Sequence, residues 1–314
     1  MTGGGAMWRL IAVRSLEALA TLLAMSAIVF LLSRWSGDPV ALLLGDGASE
    51  ADRRALIQQL GLDRSIWSQY RVFLSGVLDG DFGRSLIGDR LPAFEIVRER
   101  LPQSIELAAV ALLAALSLGI PLGVLAAVRQ GSLIDGLVRG FALIGQSMPV
   151  FWLGAMLMFL FSVTLGWLPT SGYGTIRHMV MPTVTMALFS IAAIVRLSRT
   201  SMIEALGSDY VRFARIKGLS ETEVVWKHAL ANSLIPVASF MGTFFATMIT
   251  GAVVIETVFS WPGVGRLAYD SILRRDFPVV QAVVLMVTAL YVACNLAVDL
   301  IYLWLDPRVR KGLV

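Results

Sequence analysis

The sequence predicts an all-α integral membrane protein with six transmembrane helices and a long extracytoplasmic segment after the first helix. Of its 314 residues, 57% are hydrophobic and only 15% are charged, and the mean hydropathy is +0.75. Soluble domains carry about 25% charged residues. Six apolar runs are long enough, at roughly 20 residues, to cross a bilayer. Backbone groups in lipid must be satisfied internally, so these runs must be helices rather than open strands.

The predicted spans lie near residues 10–32, 105–128, 137–165, 179–196, 233–255 and 279–303. The first run resembles a signal peptide in its position only. Its apolar stretch is too long and no small-residue cleavage site follows, so we expect a retained helix.

Basic residues predict the orientation, because short loops rich in Lys and Arg stay in the cytoplasm. They cluster at the N-terminal edge, after the second span, in residues 196–228 and in the C-terminal tail. With six spans all four regions fall on one side, so both termini are predicted to be cytoplasmic. The opposite side holds residues 35–100, with ten acids and eight bases, and residues 259–278, with three arginines.

Residue counts exclude several chemistries. Cys294 is the only cysteine, so no intrachain disulfide can form. The two histidines, His178 and His228, should lie on opposite membrane sides, which excludes a Cys/His metal cluster. No lysine stands in G-x-x-x-x-G-K-[ST], so the chain should not bind ATP itself, and no cofactor is expected. The basic residues are scattered at membrane edges, which favours topology over nucleic-acid binding.

The long extracytoplasmic segment has its own pattern. Gly37-Asp38-Pro39 is a turn sequence that ends the first span. Apolar residues then recur at helical spacing, which predicts an amphipathic helix; they are Ile66, Tyr70, Phe73, Leu74 and Val77. The segment either caps the outer membrane face or offers a docking surface for an external partner, and the two are compatible.

Prolines and acids within the spans have two interpretations each. Pro149 is expected to kink the third span, either as static packing or, with Phe151, as part of a transport pathway. The acids Glu106, Glu256 and Asp299 lie near the ends of three different spans. That distribution favours structural hydrogen bonding over an ion site, and argues against an ion-coupled secondary transporter.

A further group near the end of the fifth span is a candidate for the pathway or its gate. It comprises Glu256, Trp261 and Pro262.

Residues 196–228 carry six basic and four acidic residues, too many for a helix immersed in lipid. Written as a short helix, residues 209–219 place Phe213 and Ile216 on one side, and Ala214 and Gly218 on an adjacent flat strip. Such a surface suits insertion into a groove of another protein. The surrounding Arg212, Arg215 and Lys217 could pair with acids at the groove's rim or with lipid phosphate. An interfacial helix is the alternative, but the apolar face is small for membrane anchoring.

The same residues resemble a family signature. Asp209-Tyr210-Val211-Arg212-Phe213-Ala214-Arg215-Ile216-Lys217-Gly218-Leu219 resembles D-Y-V-R-x-A-R-x-K-G-L. This is the form of the "EAA" signature found in the dipeptide/oligopeptide/nickel permease branch of binding-protein-dependent ABC importers, in the first of two permeases. The general signature's leading Glu-Ala-Ala is absent at this spacing. Further matches follow in order along the chain, among them Gly61-Leu62-Asp63, Gly80-Asp81-Phe82-Gly83-Arg84-Ser85, Trp167-Leu168-Pro169, the stretch 251–265 and Asp306-Pro307-Arg308.

The resemblance implies a type I ABC importer permease in the bacterial inner membrane. Residues 1–102 would form the N-terminal transmembrane helix and the periplasmic segment. Residues 103–314 would form a five-helix core that contains the coupling loop 196–228. The implied partners are a second, homologous but non-identical permease, two cytoplasmic ABC ATPases that hydrolyse ATP, an extracytoplasmic solute-binding protein and membrane lipid. The motif residues from Asp209 to Leu219 would couple the permease to the ATPases.

Several functions remain open at this stage. The leading hypothesis is a permease for di- or oligopeptides, and a nickel or glutathione importer permease is the alternative within the same fold. A secondary transporter would show ion dependence without ATPase partners. A membrane enzyme would need a cluster of catalytic groups, which the sequence does not offer. Substrate choice in such importers rests mainly on the binding protein.

Overall fold

The computed structural model describes residues 3–35, Val40, Leu44 and residues 49–305, with side chains from residue 11 to residue 300 within those ranges. This part of the chain is helical, and its β-structure is a single isolated bridge between Arg84 and Pro92. The sequence motifs at 37–39 and 306–308 lie outside the described residues. Contacts divide the chain into two compact units: residues 1–102 with 263–293, and residues 103–262 with 294–314.

The first unit contains α1 to α3, the start of α4, α11 and most of α12. Their bounds are α1 Gly3–Trp35, α2 Glu50–Gln59, α3 Ile66–Leu78, α4 Ala93–Val128, α11 Val264–Leu273 and α12 Phe277–Leu305. The predicted amphipathic helix is therefore confirmed as α3. Its Tyr70 and Phe73 rings pack on Phe30 of α1, with ring centroids 5.4 and 5.5 Å apart. Tyr70 also shares a 2.8 Å hydrogen bond with Ser26.

Polar contacts bind residues 85–86 to the start of α12. The carboxylate of Asp276 accepts hydrogen bonds from the Ser85 hydroxyl and from the Leu86 backbone N–H. Farther along α12, the Gln281 amide donates to the Ser33 hydroxyl of α1 at 2.6 Å. The Gln281 amide thus adds a polar bond between α1 and α12, while Asp276 ties residues 85–86 to the start of α12.

The second unit contains the remaining helices. They are α5 Leu133–Ser147, α6 Val150–Met158 with a π-helical turn Phe159–Thr164, α7 Ile176–Leu206, α8 Asp209–Ile216, a single turn Glu221–Glu223 with a π-helical turn Val224–Ala229, α9 Leu230–Gly251 and α10 Val253–Val258. The helix α7 lies at the centre of this unit, since 67% of its apolar 18-residue stretch is buried. It lies so close to α4 that a Cβ on Gly123 would come within 2.6 Å of the Ser198 Cβ and 2.9 Å of the Val195 carbonyl oxygen.

Five of the described helices are long and apolar enough to cross a membrane, and a bent pair makes a sixth if it is one span. The five are Ile11–Trp35, Ala93–Val128, Ile176–Leu206, Glu221–Gly251 and Phe277–Leu300. The bent pair is Leu133–Ser147 with Val150–Thr164, whose two arms meet at 98°.

The expectation of one kinked helix over residues 137–165 is therefore wrong. Met148 is extended, with ψ 130°, and Pro149 stands at the N-cap of α6. A residue before proline is pushed out of the helical region by the proline ring. The chain therefore ends one helix and begins another instead of bending a continuous one.

Candidate functional site

The sequence motif at 209–219 begins with a short helix, α8, one connection after the central helix α7. Ser208 is its extended N-cap residue, with φ −76° and ψ 156°. Asp209 lies in the first turn and Arg215 in the last, so each charge complements the helix dipole. We call residues 209–219 the coupling segment.

The helix ends earlier than the sequence suggested. It stops at Ile216, and Gly218 adopts a left-handed backbone with φ +78°. The Gly218 N–H donates to the Arg215 carbonyl at 3.0 Å, and the Leu219 N–H to the Ala214 carbonyl at 3.4 Å. These two bonds form a Schellman cap, in which glycine is favoured because it has no Cβ. The expected helix through Leu219 is therefore wrong by its last three residues.

One face of α8 is turned inward. Val211 is fully buried and Ala214 is only 7% exposed. They pack in an apolar cluster with side chains from α4, α7 and the start of the next span, namely Val124, Ala127, Met202, Ala205, Val224, Val225 and Ala229. The exposed flat strip of Ala214 and Gly218 is therefore a wrong prediction. Ala214 shares its face with Val211 and anchors the coupling segment, and Gly218 belongs to the cap.

The opposite face of α8 is apolar and exposed. We define it as the outward face, and it consists of Tyr210, Phe213 and Ile216. Phe213 is 59% exposed and Ile216 is 81% exposed. The Lys217 ammonium lies 5.1 Å from the centre of the Phe213 ring. The pairing of Phe213 with Ile216 on one side agrees with the spacing in the sequence, and none of the residues that the structure describes in the second unit covers them.

The basic residues around the outward face pair locally. The Arg215 guanidinium donates to both Glu221 carboxylate oxygens, at 2.7 and 3.3 Å. Arg212 and Asp209 are 3.7 Å apart. All four side chains are solvent-exposed, where such pairs contribute under about 1 kcal/mol. They can therefore be exchanged for pairs with another protein at little cost.

Glu256 and Trp261, two of the candidate pathway residues, are enclosed. The Ser104 hydroxyl donates to the Glu256 carboxylate at 2.5 Å, and Glu256 has no exposed surface. The Trp261 indole N–H donates to the Gln103 carbonyl at 3.0 Å. Both bonds join the end of α10 to the same stretch of α4. This arrangement favours the structural interpretation of Glu256, while Pro262 is half-buried beside it.

Tyr173 packs on Trp261, one of these two enclosed residues. Its ring meets Trp261 edge to face, with centroids 4.8 Å apart, and its hydroxyl donates to Glu106 at 2.8 Å. The hydrogen bond to Glu106 raises the pKa of Tyr173 above its ordinary value, so the phenol keeps its proton and continues to donate.

Pro149 and Phe151, the other pathway candidates, are exposed at the break between α5 and α6. Together with Trp152 and residues of α5 they line an open groove of about 520 Å³. The structure thus separates the five candidates into an enclosed anchor and an exposed break.

Sequence reasoning missed a buried charge at Asp135, near the start of α5. Arg199 on α7 donates to its two carboxylate oxygens at 2.7 and 2.9 Å, and the Gly131 N–H donates at 3.0 Å. Arg139 lies 3.4 Å away. The available signal was Ser132, three residues earlier, because Ser followed by an acid at this spacing begins a helix. Among the described residues, no group of three His, Cys, Asp or Glu side chains is placed to hold a metal.

Comparison with known proteins identifies the family. The family model for the binding-protein-dependent transport system inner membrane component matches residues 119–311. The model for the N-terminal part of such membrane components matches residues 7–108. The chain belongs to this family. As a member it is a multi-pass inner-membrane permease, a transport protein rather than an enzyme, in a family that depends on a solute-binding protein and an ABC ATPase.

Several relatives cover nearly all of the permease. The dipeptide transport system permease protein DppB of Escherichia coli K12 is 39% identical over 306 residues, which cover 87% of this chain and 90% of DppB. The oligopeptide transport system permease protein AppB of Bacillus subtilis is 36% identical, and the aligned residues cover 95% of this chain and 98% of AppB. A putative peptide transport system permease protein of Brucella abortus is 40% identical, and the aligned residues cover 97% of this chain and 99% of that protein.

A solved structure shares the fold of the permease. The MetNI methionine ABC transporter in its inward-facing conformation aligns with a TM-score of 0.58 at 17% identity, over 67% of this chain and 96% of the matched chain. The predicted fold class, an all-helical membrane protein of the type I ABC importer permease kind, is confirmed.

Proposed function

We propose that this permease is one subunit of an ATP-driven importer of di- or oligopeptides. It would line the translocation pathway together with a second, non-identical permease. Two cytoplasmic ATPases would supply the energy, and a solute-binding protein would deliver the peptide. The names of the relatives support the substrate class, since those described above transport dipeptides, oligopeptides or peptides.

The observation that carries the coupling role is the outward face of α8. This helix exposes Tyr210, Phe213 and Ile216, an apolar surface that no described residue of the second unit covers. Exposed apolar surface of this kind marks an interaction site. A short helix with two large apolar side chains three residues apart suits a groove. The sequence contains no P-loop, which supports placing the ATPase on another chain.

The inward face explains how movement of α8 would reach the membrane. Val211, Ala214 and Leu219 pack into the cluster formed by the ends of α4 and α7. Close-packed interfaces shift as units rather than deform. A displacement of α8 by an ATPase would therefore move these helix ends with it, as expected for a lever between two states.

The orientation and the domain division belong to the same proposal. We place both termini and the coupling loop 196–228 in the cytoplasm, and residues 35–100 outside. Residues 1–102 would serve as the N-terminal helix and external segment, and residues 103–314 as the transport core. The candidate pathway residues are Pro149, Phe151, Glu256, Trp261 and Pro262.

Affinity purification of the tagged chain, co-expressed with the genes beside it, tests the proposal. A second permease and two ATPases should co-purify, and proteoliposomes containing this complex and its binding protein should take up a dipeptide when ATP is supplied. The double variant Phe213→Ala, Ile216→Ala should bind the ATPases about thirtyfold less tightly, because loss of a packed interface anchor costs about 2 kcal/mol.

Ile272→Ala is the matched control, since Ile272 is a similarly exposed aliphatic side chain on α11. It should leave ATPase retention unchanged. Full retention of the ATPases by the double variant would remove the outward face from the coupling site. ATP-driven uptake of nickel or glutathione instead of peptide would change the substrate class and leave the coupling proposal standing.

A further inference from the structure

A polar cavity of about 580 Å³ lies in the first unit, where the end of α1 meets the turn between α2 and α3. Its charged lining has two signs. Arg34 and Arg64 contribute guanidinium groups, while Asp79 and Asp81, just after α3, contribute carboxylates. The cavity is large enough to hold a small polar group with separated charges.

Two buried polar atoms at this cavity lack hydrogen-bond partners among the described residues. They are the Arg34 Nε and the Gln69 Oε1. The Gln69 amide nitrogen is satisfied, since it donates to the Leu62 and Arg64 carbonyl oxygens at 3.2 and 2.9 Å. Both atoms are buried within the wall of the cavity, so a molecule bound there would be held by the charged side chains of the lining instead.

The residues at the end of α1 are typical of the level where a membrane meets water. Arg34 is near the end of the apolar span Ile11–Trp35. Trp35 is 80% exposed, and Trp67 on α3 is 72% exposed. Tryptophan collects at the headgroup level of bilayers, because its ring is apolar and its N–H is polar. The guanidinium of Arg34 lies over the Phe30 ring at 5.3 Å, as expected of a cation held at this boundary.

A second, more apolar cavity of about 180 Å³ adjoins the first. Arg34, Leu60 and Phe73 line both, and Phe30 and Phe277 extend the second one inward. A molecule with a charged end and an apolar end would fit the pair, whereas a free ion would fill only the polar part.

We propose that the polar cavity binds the phosphoethanolamine headgroup of a membrane phospholipid. The phosphate would lie at Arg34 and Arg64, whose guanidinium forks match phosphate oxygens. The ammonium would lie at Asp79 and Asp81. The Oδ1 of Asp81 accepts a hydrogen bond from the Gly83 N–H at 2.8 Å, and its other oxygen can accept a hydrogen bond from the ammonium. The site is independent of the proposed transport function.

Native mass spectrometry of the purified permease complex tests the site. After delipidation, dioleoyl phosphatidylethanolamine or dioleoyl phosphatidylglycerol is added back and the retained lipid is counted. Wild type should retain phosphatidylethanolamine, and Arg34→Gln should weaken that binding about tenfold, since it removes charge-assisted hydrogen bonds. Asp79→Asn with Asp81→Asn should abolish the preference for phosphatidylethanolamine over phosphatidylglycerol.

Arg14→Gln is the matched control. Arg14 lies on the same helix, is exposed, and pairs with Glu17 at 3.1 Å, so its loss should leave lipid retention unchanged. Equal retention by wild type and Arg34→Gln would overturn the proposal. The assignment to lipid would also fail if inorganic phosphate or dialanine displaced the lipid at millimolar concentration, because the site would then hold a free anion or a peptide.

Discussion

Arg199 on α7 holds the buried carboxylate of Asp135 on α5 through two hydrogen bonds of 2.7 and 2.9 Å. The pair joins the first arm of the broken span to the central helix of the second unit. Beyond Arg199, α7 runs unbroken to Leu206 and leads into α8. The pair therefore connects the helix that leads into the coupling segment with the helix that ends at the break before Pro149.

Removal of the Asp135 charge is expected to destabilise the permease. Asp135→Asn keeps the size of the side chain and leaves Arg199 without its counter-ion, which costs about 3 kcal/mol for a buried pair. The thermal midpoint of the purified complex should fall clearly. Asp270→Asn, which breaks an exposed 3.7 Å pair with Arg266, should cost under about 1 kcal/mol. Equal midpoints for the two variants would show that the buried pair contributes no more than a surface one.

Gly218 is expected to matter for its backbone conformation. A β-branched residue at φ +78° costs roughly 1–2 kcal/mol, whereas asparagine tolerates this region. Gly218→Val should therefore lower ATPase retention and peptide uptake by pulling Leu219 from the cluster, and Gly218→Asn should remain near wild type. If Gly218→Asn is as damaging as Gly218→Val, the cap explanation fails and the missing side chain itself is what docking requires.

Close contact between α4 and α7 makes Gly123 sensitive to a single added methyl group. Two of the three atoms nearest to a Cβ there belong to backbone, the Val195 oxygen at 2.9 Å and the Arg199 nitrogen at 3.1 Å. Gly123→Ala should force the helices apart at a cost of about 1–3 kcal/mol, measured as a loss of thermal stability. At Gly207, after α7, the nearest atoms are 3.6 Å away, so Gly207→Ala should be close to neutral. A neutral Gly123→Ala would contradict the close approach.

The proposed orientation can be read by thiol labelling in a Cys294→Ser background. Ser75→Cys on α3 and Thr222→Cys beside the coupling segment both place a thiol at an exposed position. A membrane-impermeant maleimide should label the cysteine at position 75 in intact cells. It should reach the cysteine at position 222 only after the membrane is permeabilised. The reverse pattern would invert the topology.

Much of the fold could be predicted from sequence because apolar runs of span length have few alternatives. The break at Pro149 was harder, since membrane prolines usually bend a helix without ending it. What holds α6 in its direction is a long-range contact. A Cβ on Gly154 would meet Val258 and Phe259 of the α10 region within 3.4 Å, and no local pattern reveals which helix it faces.

Only one of the two faces of α8 could be predicted correctly from the sequence. The spacing of Phe213 and Ile216 places them together whatever the surroundings. Which face of an eight-residue helix turns inward, however, depends on the apolar side chains that α4 and α7 bring to it. Ala214 was therefore assigned to the wrong surface. Asp135 was overlooked because its partner Arg199 is distant along the chain.

The π-helical turn Val224–Ala229 determines how the structure responds to the deletion of a residue at this point. A π turn closes its hydrogen bonds one residue later than an α turn, so it behaves as a one-residue insertion between the coupling segment and α9. Deleting one residue within this turn would convert it to α-helix and leave the orientation of α9 unchanged. A deletion in the first α-helical turns of α9 would instead rotate the rest of that helix by about 100°, because an α-helix has 3.6 residues per turn. Val237 and Met241, now buried, would then point away from the core. Single-residue deletions should therefore be tolerated within Val224–Ala229 and excluded from the first turns of α9.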